Sequence, residues 1–154
     1  MKTEFLSEKK SRKGVIWWID PDIGLCRQYI KIGSVDKGRH TFTKQGFDVV
    51  HYDNLFEAID QLQIAIESKG SLPDIILTAF RFSKEQDCLP LLQILARLEN
   101  IKIPVIVVSG FLNNEIEDTL SKFVELEFMF SKPPRPRRLI QTIEKVIEQN
   151  QADS

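Results

Sequence analysis

The sequence lacks the features that mark membrane, secreted and metal-clip proteins. It contains no apolar run of the ~18 residues that cross a bilayer, and its charged N-terminus has no apolar core of the kind found in secretory signals. Only two cysteines are present, Cys26 and Cys88, and their spacing fits neither a metal clip nor a disulfide framework. We therefore expect a reduced, cytoplasmic protein that does not contact a membrane.

An excess of charge of one sign is also missing. The 21 basic and 22 acidic residues give a formal net charge of -1. A balanced chain has no overall attraction to a polyanion, so the composition argues against binding to nucleic acid or to an anionic membrane surface. The 42% hydrophobic content is that of an ordinary globular protein, and 154 residues are enough for one domain with a substantial core.

Polar residues divide the chain into three parts. Residues 1–13 carry five Lys or Arg side chains against two Glu, which predicts a flexible basic leader. Residues 14–149 contain the periodic apolar segments and form the predicted folded domain. Residues 150–154 are polar and are predicted to be a tail. No output domain fits in the rest of the chain, so we expect a module that stands alone.

Short apolar runs alternate with segments of helical periodicity. Runs without helical spacing predict five buried strands, at residues 15–19, 46–52, 73–82, 103–109 and 126–131. Amphipathic patterns predict a helix after each strand, around residues 23–32, 55–66 and 91–98, from Asn113 or Asn114 onwards, and around 139–147. The connection at residues 33–45 is irregular, and its His40 is interpreted as a surface residue.

The alternation predicts an α/β fold: a flavodoxin-like, doubly wound, five-stranded parallel sheet in the order 2-1-3-4-5, with helices on both faces. The switch point of this order lies between strands one and three. It brings together residues that follow the strands, namely Asp20, Asp22, Ala79, Ser109 and Lys132. An acid, a hydroxyl and a lysine at one sheet edge indicate a phosphate site, because the acid can help to hold a metal while the other two contact phosphate oxygens.

Four segments resemble the receiver domain of two-component response regulators. They are Ile19-Asp20-Pro21-Asp22, Pro73 to Ala79, Pro104 to Gly110 and Ser131-Lys132-Pro133, and the resemblance covers about residues 14 to 149. Receiver domains accept a phosphoryl group from a histidine kinase on an aspartate at the end of strand three, with Mg²⁺ bound. The resemblance therefore implies two-component signal transduction, with a signalling protein such as a histidine kinase or an output protein as partner.

The chain departs from the receiver pattern at the reactive positions. The phosphoacceptor position falls on Ala79. The acidic pair after strand one falls on Asp20 and Pro21, and Asp22 follows one position too late. The hydroxyl, lysine and switch-aromatic positions of the family fall on Ser109, Lys132 and Met129.

These departures decide the expected chemistry. An alanine methyl cannot accept a phosphoryl group, and Mg²⁺ usually requires at least one or two carboxylates within an octahedral shell of oxygens. We therefore predict no phosphorylation at Ala79 and weak or absent Mg²⁺ binding. With no phosphate to contact, Lys132 is predicted to pair with Asp20. The alternative is a phosphoryl-accepting response regulator that uses a displaced acid, namely Asp20, Asp22 or Asp87.

A basic run after strand five is the candidate partner-binding surface. Lys132, Arg135, Arg137 and Arg138 occur there without an acid, at a helix N-terminus where cations are unfavourable, and the helix four region is acidic. Together with Met129, these patches predict binding of a signalling partner, or a homodimer through the helix 4–strand 5–helix 5 face that mediates dimerisation in the resembling family. A merely solvated turn is the alternative. A nucleic-acid accessory protein using these arginines is a third hypothesis, against which the near-neutral charge argues.

The remaining residues of interest have structural interpretations. Trp17 and Trp18 fall in the first strand, where we expect core packing rather than a ligand-stacking surface. The sequence shows no glycine-rich phosphate loop and no nucleophile elbow, and we expect no histidine at the site, so no enzyme is predicted. The first hypothesis is a stand-alone degenerate receiver that acts as a non-enzymatic protein-interaction module.

Overall fold

A computed structural model describes residues 1–33 and 35–152. The strands of these residues are β1 (Lys2–Phe5), β2 (Gly14–Ile19), β3 (Phe47–Tyr52), β4 (Ile75–Thr78), β5 (Arg81–Ser83), β6 (Gln86–Asp87), β7 (Val105–Ser109) and β8 (Met129–Ser131). The α-helices are α1 (Ile23–Arg27), α2 (Leu55–Glu67), α3 (Leu89–Ala96), α4 (Asn114–Leu120) and α5 (Pro136–Ala152). A π-helical turn occurs at Gln28–Ile32, and 3-10 turns occur at Val35–Gly38 and Leu126–Phe128. Residue 34 of the predicted connection and residues 153–154 of the predicted tail lie outside the described residues.

Six strands form the central sheet, in the order β1-β3-β2-β4-β7-β8. Every adjacent pair except β1–β3 is parallel. The five parallel strands reproduce the predicted order 2-1-3-4-5, so the prediction of a flavodoxin-like sheet is confirmed. Because the carboxyl ends of parallel strands lie at one edge of a sheet, the loops after β2, β4, β7 and β8 are neighbours.

Alternating side chains of the strands fill two cores, one on each face of the sheet. In β2, Ile16 and Trp18 enter the core that contains α1 and α5, whereas Trp17 and Ile19 enter the core that contains α2 and α3. The period of two along a strand produces this division. A third cluster joins α3 to α4 around Val107 of β7. Helices therefore cover both faces, and both tryptophans belong to the core, as predicted.

The prediction of a flexible leader over residues 1–13 needs correction at its start. β1 pairs antiparallel with β3, which would otherwise form the edge of the sheet. Phe5 packs against the core that contains α1 and α5, and Arg12 forms an ion pair with the mostly buried Asp48. The alternation of exposed and half-buried residues along β1 is the period of a strand, but over four residues it is a weaker signal than the charge of the segment.

The third predicted strand is shorter than residues 73–82. β4 ends at Thr78, level with the end of β2, and the chain then leaves the sheet through Ala79 and Phe80. It forms the antiparallel pair β5–β6, which we call the hairpin. The N–H of Cys88 donates to the Phe80 carbonyl at 2.8 Å and closes it. Beyond the end of its neighbour, the backbone thus finds its hydrogen-bond partners locally.

The other boundaries follow the sequence signals more closely. Asp22 caps α1 and Asn113 caps α4, each by accepting a hydrogen bond from the N–H three residues further on. The fifth parallel strand begins at Met129, because the three residues before it form a 3-10 turn. α5 extends to Ala152, so the predicted tail at residues 150–154 starts inside a helix. Among the described helices, none is both long and apolar enough to cross a membrane.

Candidate functional site at the carboxyl edge of the sheet

Backbone hydrogen bonds fix the loops that follow the parallel strands. The N–H of Ala79 donates to the Ile19 carbonyl, and the N–H of Lys132 donates to the Ser109 carbonyl, both at 2.9 Å. The N–H of Asp20 donates to the last carbonyl of β3, also at 2.9 Å. Strand pairing therefore continues one residue beyond the strand ends, and it brings the predicted site residues to one edge of the sheet.

Lys132 and Asp20 form the predicted ion pair. Lys132 Nζ lies 2.7 Å from Asp20 Oδ2, with the Asp20 side chain fully buried and the Lys132 side chain 16% exposed. The other carboxylate oxygen, Oδ1, accepts a hydrogen bond from the Asp22 N–H at 2.8 Å. Burial raises the pKa of Asp20, and the Lys132 ammonium and the Asp22 amide oppose this effect. The centre of the site is thus occupied by two charges that neutralise each other.

The carboxylates of a Mg²⁺ site are incomplete. Ala79, at the phosphoacceptor position, is buried and presents only a methyl group. Pro21 has no side-chain oxygen, and the exposed carboxylate of Asp22 is engaged in capping α1. Across residues 1–33 and 35–152, no group of three or more His, Cys, Asp or Glu side chains could hold a metal ion. The residues present do not fit Mg²⁺, because one carboxylate already paired with an ammonium leaves most of the octahedral shell unfilled.

Ser109 lies at the predicted edge, but its hydroxyl makes local contacts. The Oγ accepts a hydrogen bond from the Phe111 N–H at 3.3 Å and lies 3.4 Å from the Phe111 carbonyl oxygen. Met129, at the switch-aromatic position, is half-buried and packs against the cluster that joins α3 to α4. A hydroxyl and a lysine are therefore present at the edge, and Ala79, which follows β4, contributes no carboxylate.

A buried histidine lies beside the site, and the expectation of no histidine there is wrong. His51 of β3 is 2% exposed, and its Nε2 lies 2.9 Å from the Asp20 carbonyl oxygen. Burial lowers the pKa of His51. Because the Asp20 carbonyl oxygen can only accept, Nε2–H is the donor. The strand register places His51 opposite Trp18 of β2. The predicted strand order is the one signal that could have found it, since the residue is remote from the site motifs in sequence.

The basic run is exposed at the start of α5. Arg135, Arg137 and Arg138 form no ion pair with a described residue, and the Arg138 guanidinium lies 5.7 Å from the centre of the Phe130 ring. α4 carries the opposite charge, on Glu115, Glu117 and Asp118. Opposite charges therefore lie on the two helices that flank β8, as the sequence predicts.

The cysteines are core residues. Cys26 and Cys88 are both free and buried. Burial raises the pKa of each thiol, that of Cys88 to about 12. A thiol with a raised pKa is a poor nucleophile, because the thiolate is the reactive form. Neither cysteine contributes chemistry to the site.

Comparison with known proteins places the chain by its fold. No protein-family model matches it, and no curated protein matches it. A response regulator from Desulfuromonas acetoxidans is 22% identical, with 88% of this chain and 97% of that chain covered and a TM-score of 0.62. The receiver domain of the Francisella response regulator 1452 is 22% identical, over 90% and 99% of the two chains, with a TM-score of 0.66. A receiver protein from Burkholderia phymatum is 16% identical, over 88% and 96%, with a TM-score of 0.68. The chain therefore has the fold of a response regulator receiver domain.

Proposed function

We propose that this protein is a degenerate receiver, a non-enzymatic protein-interaction module of two-component-type signal transduction that is not phosphorylated at the usual position. The proposal rests on the receiver fold for the signalling context and on the site for the loss of chemistry. The degenerate site consists of five residues at positions of the receiver motifs, with Asp22 one position beyond them: Asp20, Pro21, Asp22, Ala79, Ser109 and Lys132.

The observation that carries the proposal is the buried methyl of Ala79 beside the Asp20–Lys132 ion pair. Phosphoryl transfer to a receiver needs a nucleophilic oxygen at the position of Ala79. It also needs a lysine that is available to the transferred group, whereas here the Lys132 ammonium lies 2.7 Å from Asp20 Oδ2. Neither requirement is met at this edge of the sheet. We also infer that Mg²⁺ binding is weak or absent, because Asp20 is paired with Lys132 and Ala79 offers no carboxylate.

The three displaced acids offer little support for a rescued acceptor. Asp20 is buried and paired, and Asp22 caps α1. Asp87 Oδ1 accepts a hydrogen bond from the Leu89 N–H at 2.9 Å, which places it at the start of α3. Each carboxylate therefore has a structural role that phosphorylation would disturb.

The surface best suited to a signalling partner is the α4–β8–α5 face. It combines the acidic α4 with exposed Arg135, Arg137 and Arg138, and Met129 lies between the two helices. Such neighbouring patches of opposite charge fit a kinase, an output protein or a second copy of the chain. Self-association stays a prediction, and a sedimentation mass that stays monomeric at every protein concentration would exclude it.

Incubation with acetyl phosphate and Mg²⁺ tests the proposal directly. We expect the intact mass of the wild-type protein to show no added phosphoryl group, and the tryptophan fluorescence, which Trp18 reports from within two residues of Asp20, to stay unchanged. The Pro21→Asp/Ala79→Asp variant restores two carboxylates at the edge and serves as the matched gain-of-function control. It is expected to acquire a Mg²⁺-dependent adduct that is labile at alkaline pH.

One result would overturn the proposal. It is a labile wild-type adduct that disappears in the Asp20→Asn, Asp22→Asn or Asp87→Asn variant and in no other. That outcome would make the chain a phosphoryl-accepting regulator with a displaced acid.

A further inference from the structure

A groove of about 490 Å³ lies between the hairpin and α4. Its apolar lining comes from Phe80 and Leu89 on the hairpin side and from Phe111 and Ile116 on the α4 side. Phe80 belongs to the buried cluster that joins α3 to α4, so the core fixes this part of the lining. None of the described lining residues comes from β8 or α5, so the groove shares only α4 with the α4–β8–α5 face.

Phe111 stands at the rim of this groove. It is 71% exposed, which makes it the most exposed aromatic side chain among the described residues. Its backbone N–H is tied to Ser109 Oγ, so the position of the ring is anchored to the end of β7. An exposed aromatic ring beside a buried one is typical of a recognition surface, where aromatic residues contribute much of the binding energy.

The α4 wall of the groove is negatively charged. Of the three α4 carboxylates, Glu115 lines the groove, whereas Glu117 and Asp118 lie elsewhere on the helix. The helix has no Lys or Arg between Asn114 and Leu120. Within the part of the chain that the structure describes, none of these carboxylates forms an ion pair. The groove therefore presents the Glu115 carboxylate, which has no ion-pair partner among the described residues, and two further acids lie on the same helix.

The hairpin wall is close to neutral. Arg81 and Asp87 are its lining charges, and they offset each other. The Arg81 guanidinium lies 5.3 Å from the centre of the Phe80 ring and donates to the Lys84 carbonyl. The arginine is thus held against its own wall, and Glu115 on the opposite side leaves the lining with one excess negative charge.

We propose that this groove docks a basic amphipathic segment of a partner protein, with an aromatic or aliphatic side chain seated between Phe80 and Phe111 and with lysines or arginines beside the α4 carboxylates. Charge complementarity selects a basic occupant, and the apolar lining requires an anchor side chain. The inference rests on the proposed function, because it names the chemistry of a partner for the interaction module.

The basic run of a second copy is a poorer occupant. Its exposed cations at the start of α5 are Arg135, Arg137 and Arg138. The large apolar side chains next to them in sequence, Leu139 and Ile140, are buried in the core. This run therefore supplies positive charge without an exposed apolar side chain. The groove can accommodate a cation and an apolar side chain together.

Titration of ¹⁵N-labelled protein with the synthetic peptide acetyl-Arg-Lys-Leu-Phe-Lys-Arg-amide tests the proposal. We expect amide shift changes concentrated in residues 80–89 and 111–119. The charge-reversed peptide acetyl-Glu-Asp-Leu-Phe-Asp-Glu-amide, and a basic peptide with Ser-Ser in place of Leu-Phe, are expected to cause none. The first comparison tests the charge and the second tests the anchor.

Substitutions inside the groove are compared with matched substitutions at other exposed sites, to show which residues contribute to the binding of the peptide. Phe111→Ala should weaken the peptide affinity about tenfold, as loss of a central aromatic contact does. Phe56→Ala removes another exposed ring, 61% exposed on α2, and should leave the affinity unchanged. Glu115→Lys/Glu117→Lys should also weaken binding and flatten its salt dependence, whereas Glu67→Lys/Glu148→Lys, with the same change in net charge at other exposed sites, should not.

Three outcomes would overturn the inference. The first is an absence of amide shift changes, and the second is amide shift changes confined to another surface. The third is a dimer in solution that Phe111→Ala dissociates, because a second copy of the chain would then cover the groove. The same sample treated with acetyl phosphate reports on the proposed function separately. A phosphoryl adduct would defeat that function without altering the peptide result.

Discussion

At the scale of single residues, the Asp20–Lys132 ion pair is a structural contact at the carboxyl edge of the sheet. Its geometry gives each charge a partner within a buried environment. Buried ion pairs contribute little net stability compared with apolar residues, but the loss of one member leaves the other charge without compensation. The site is therefore sensitive to single substitutions.

We predict that Lys132→Ala lowers the free energy of unfolding by about 3–5 kcal/mol, because Asp20 is left as an unpaired buried carboxylate. Urea denaturation measures this change. The Asp20→Asn/Lys132→Met double variant should recover a large part of the loss, since it removes both charges. Lys145→Ala, on an exposed part of α5, is the control and should change the stability by less than about 0.5 kcal/mol. Equal effects of Lys132→Ala and Lys145→Ala would contradict a structural role for the ion pair.

His51 predicts a pH dependence of stability. Its pKa is lowered by burial from the ordinary value of 6.5, so the unfolded chain binds the proton more readily than the folded chain. The contribution of His51 to stability is therefore complete above pH 6.5 and is lost progressively as the pH falls toward the lowered folded value.

Denaturation series at several pH values check this expectation. The slope of stability against pH below 6.5 should decrease in His51→Gln. A wild-type slope that survives in His51→Gln would show that other groups control the acid response.

At the scale of the elements, β1 extends the sheet beyond the five parallel strands. It covers the edge of β3, which would otherwise expose a row of unpaired backbone groups. Phe5 is the residue of β1 that reaches the core. The strand is therefore held by backbone pairing and by one apolar contact.

We predict that Phe5→Ala destabilises the protein by about 1–2 kcal/mol, a fraction of the cost at a fully buried site because the ring is only half-buried. Leu6→Ala alters the adjacent residue, which is 72% exposed, and should have no measurable effect. Hydrogen exchange should show faster exchange of β3 amides in Phe5→Ala alone. Unchanged exchange and stability would mean that β1 does not pack on the core in solution.

At the scale of the whole molecule, the parallel sheet could be predicted from the sequence because four of its five parallel strands are short runs buried on both faces. Alternation with helices then restricts the strand order to a few possibilities. The same order placed Asp20 and Lys132 at one edge, and their pairing followed from the alanine at position 79. These conclusions depend on burial and on strand order, and the spacing of apolar residues along the sequence indicates both.

Structural features that depend on contacts between segments distant in sequence could not be predicted from the local pattern of apolar and polar residues. The run through Phe80 and Phe82 has the composition of a continuing strand, but β4 stops where β2 ends. His51 enters the site only through the register between β3 and β2. β1 is too short and too charged to stand out before its pairing with β3 is known.

In a receiver that carries a phosphoryl group, hydrolysis of the acyl phosphate limits the lifetime of the phosphorylated state. Under the proposed function, neither the methyl of Ala79 nor the engaged carboxylate of Asp20 carries a phosphoryl group. Hydrolysis of an acyl phosphate therefore cannot end the signal. The duration of the signal then depends on how much of the polypeptide exists: it starts with synthesis and ends with dilution or proteolysis. Turnover of the chain itself takes the place of turnover of the phosphate.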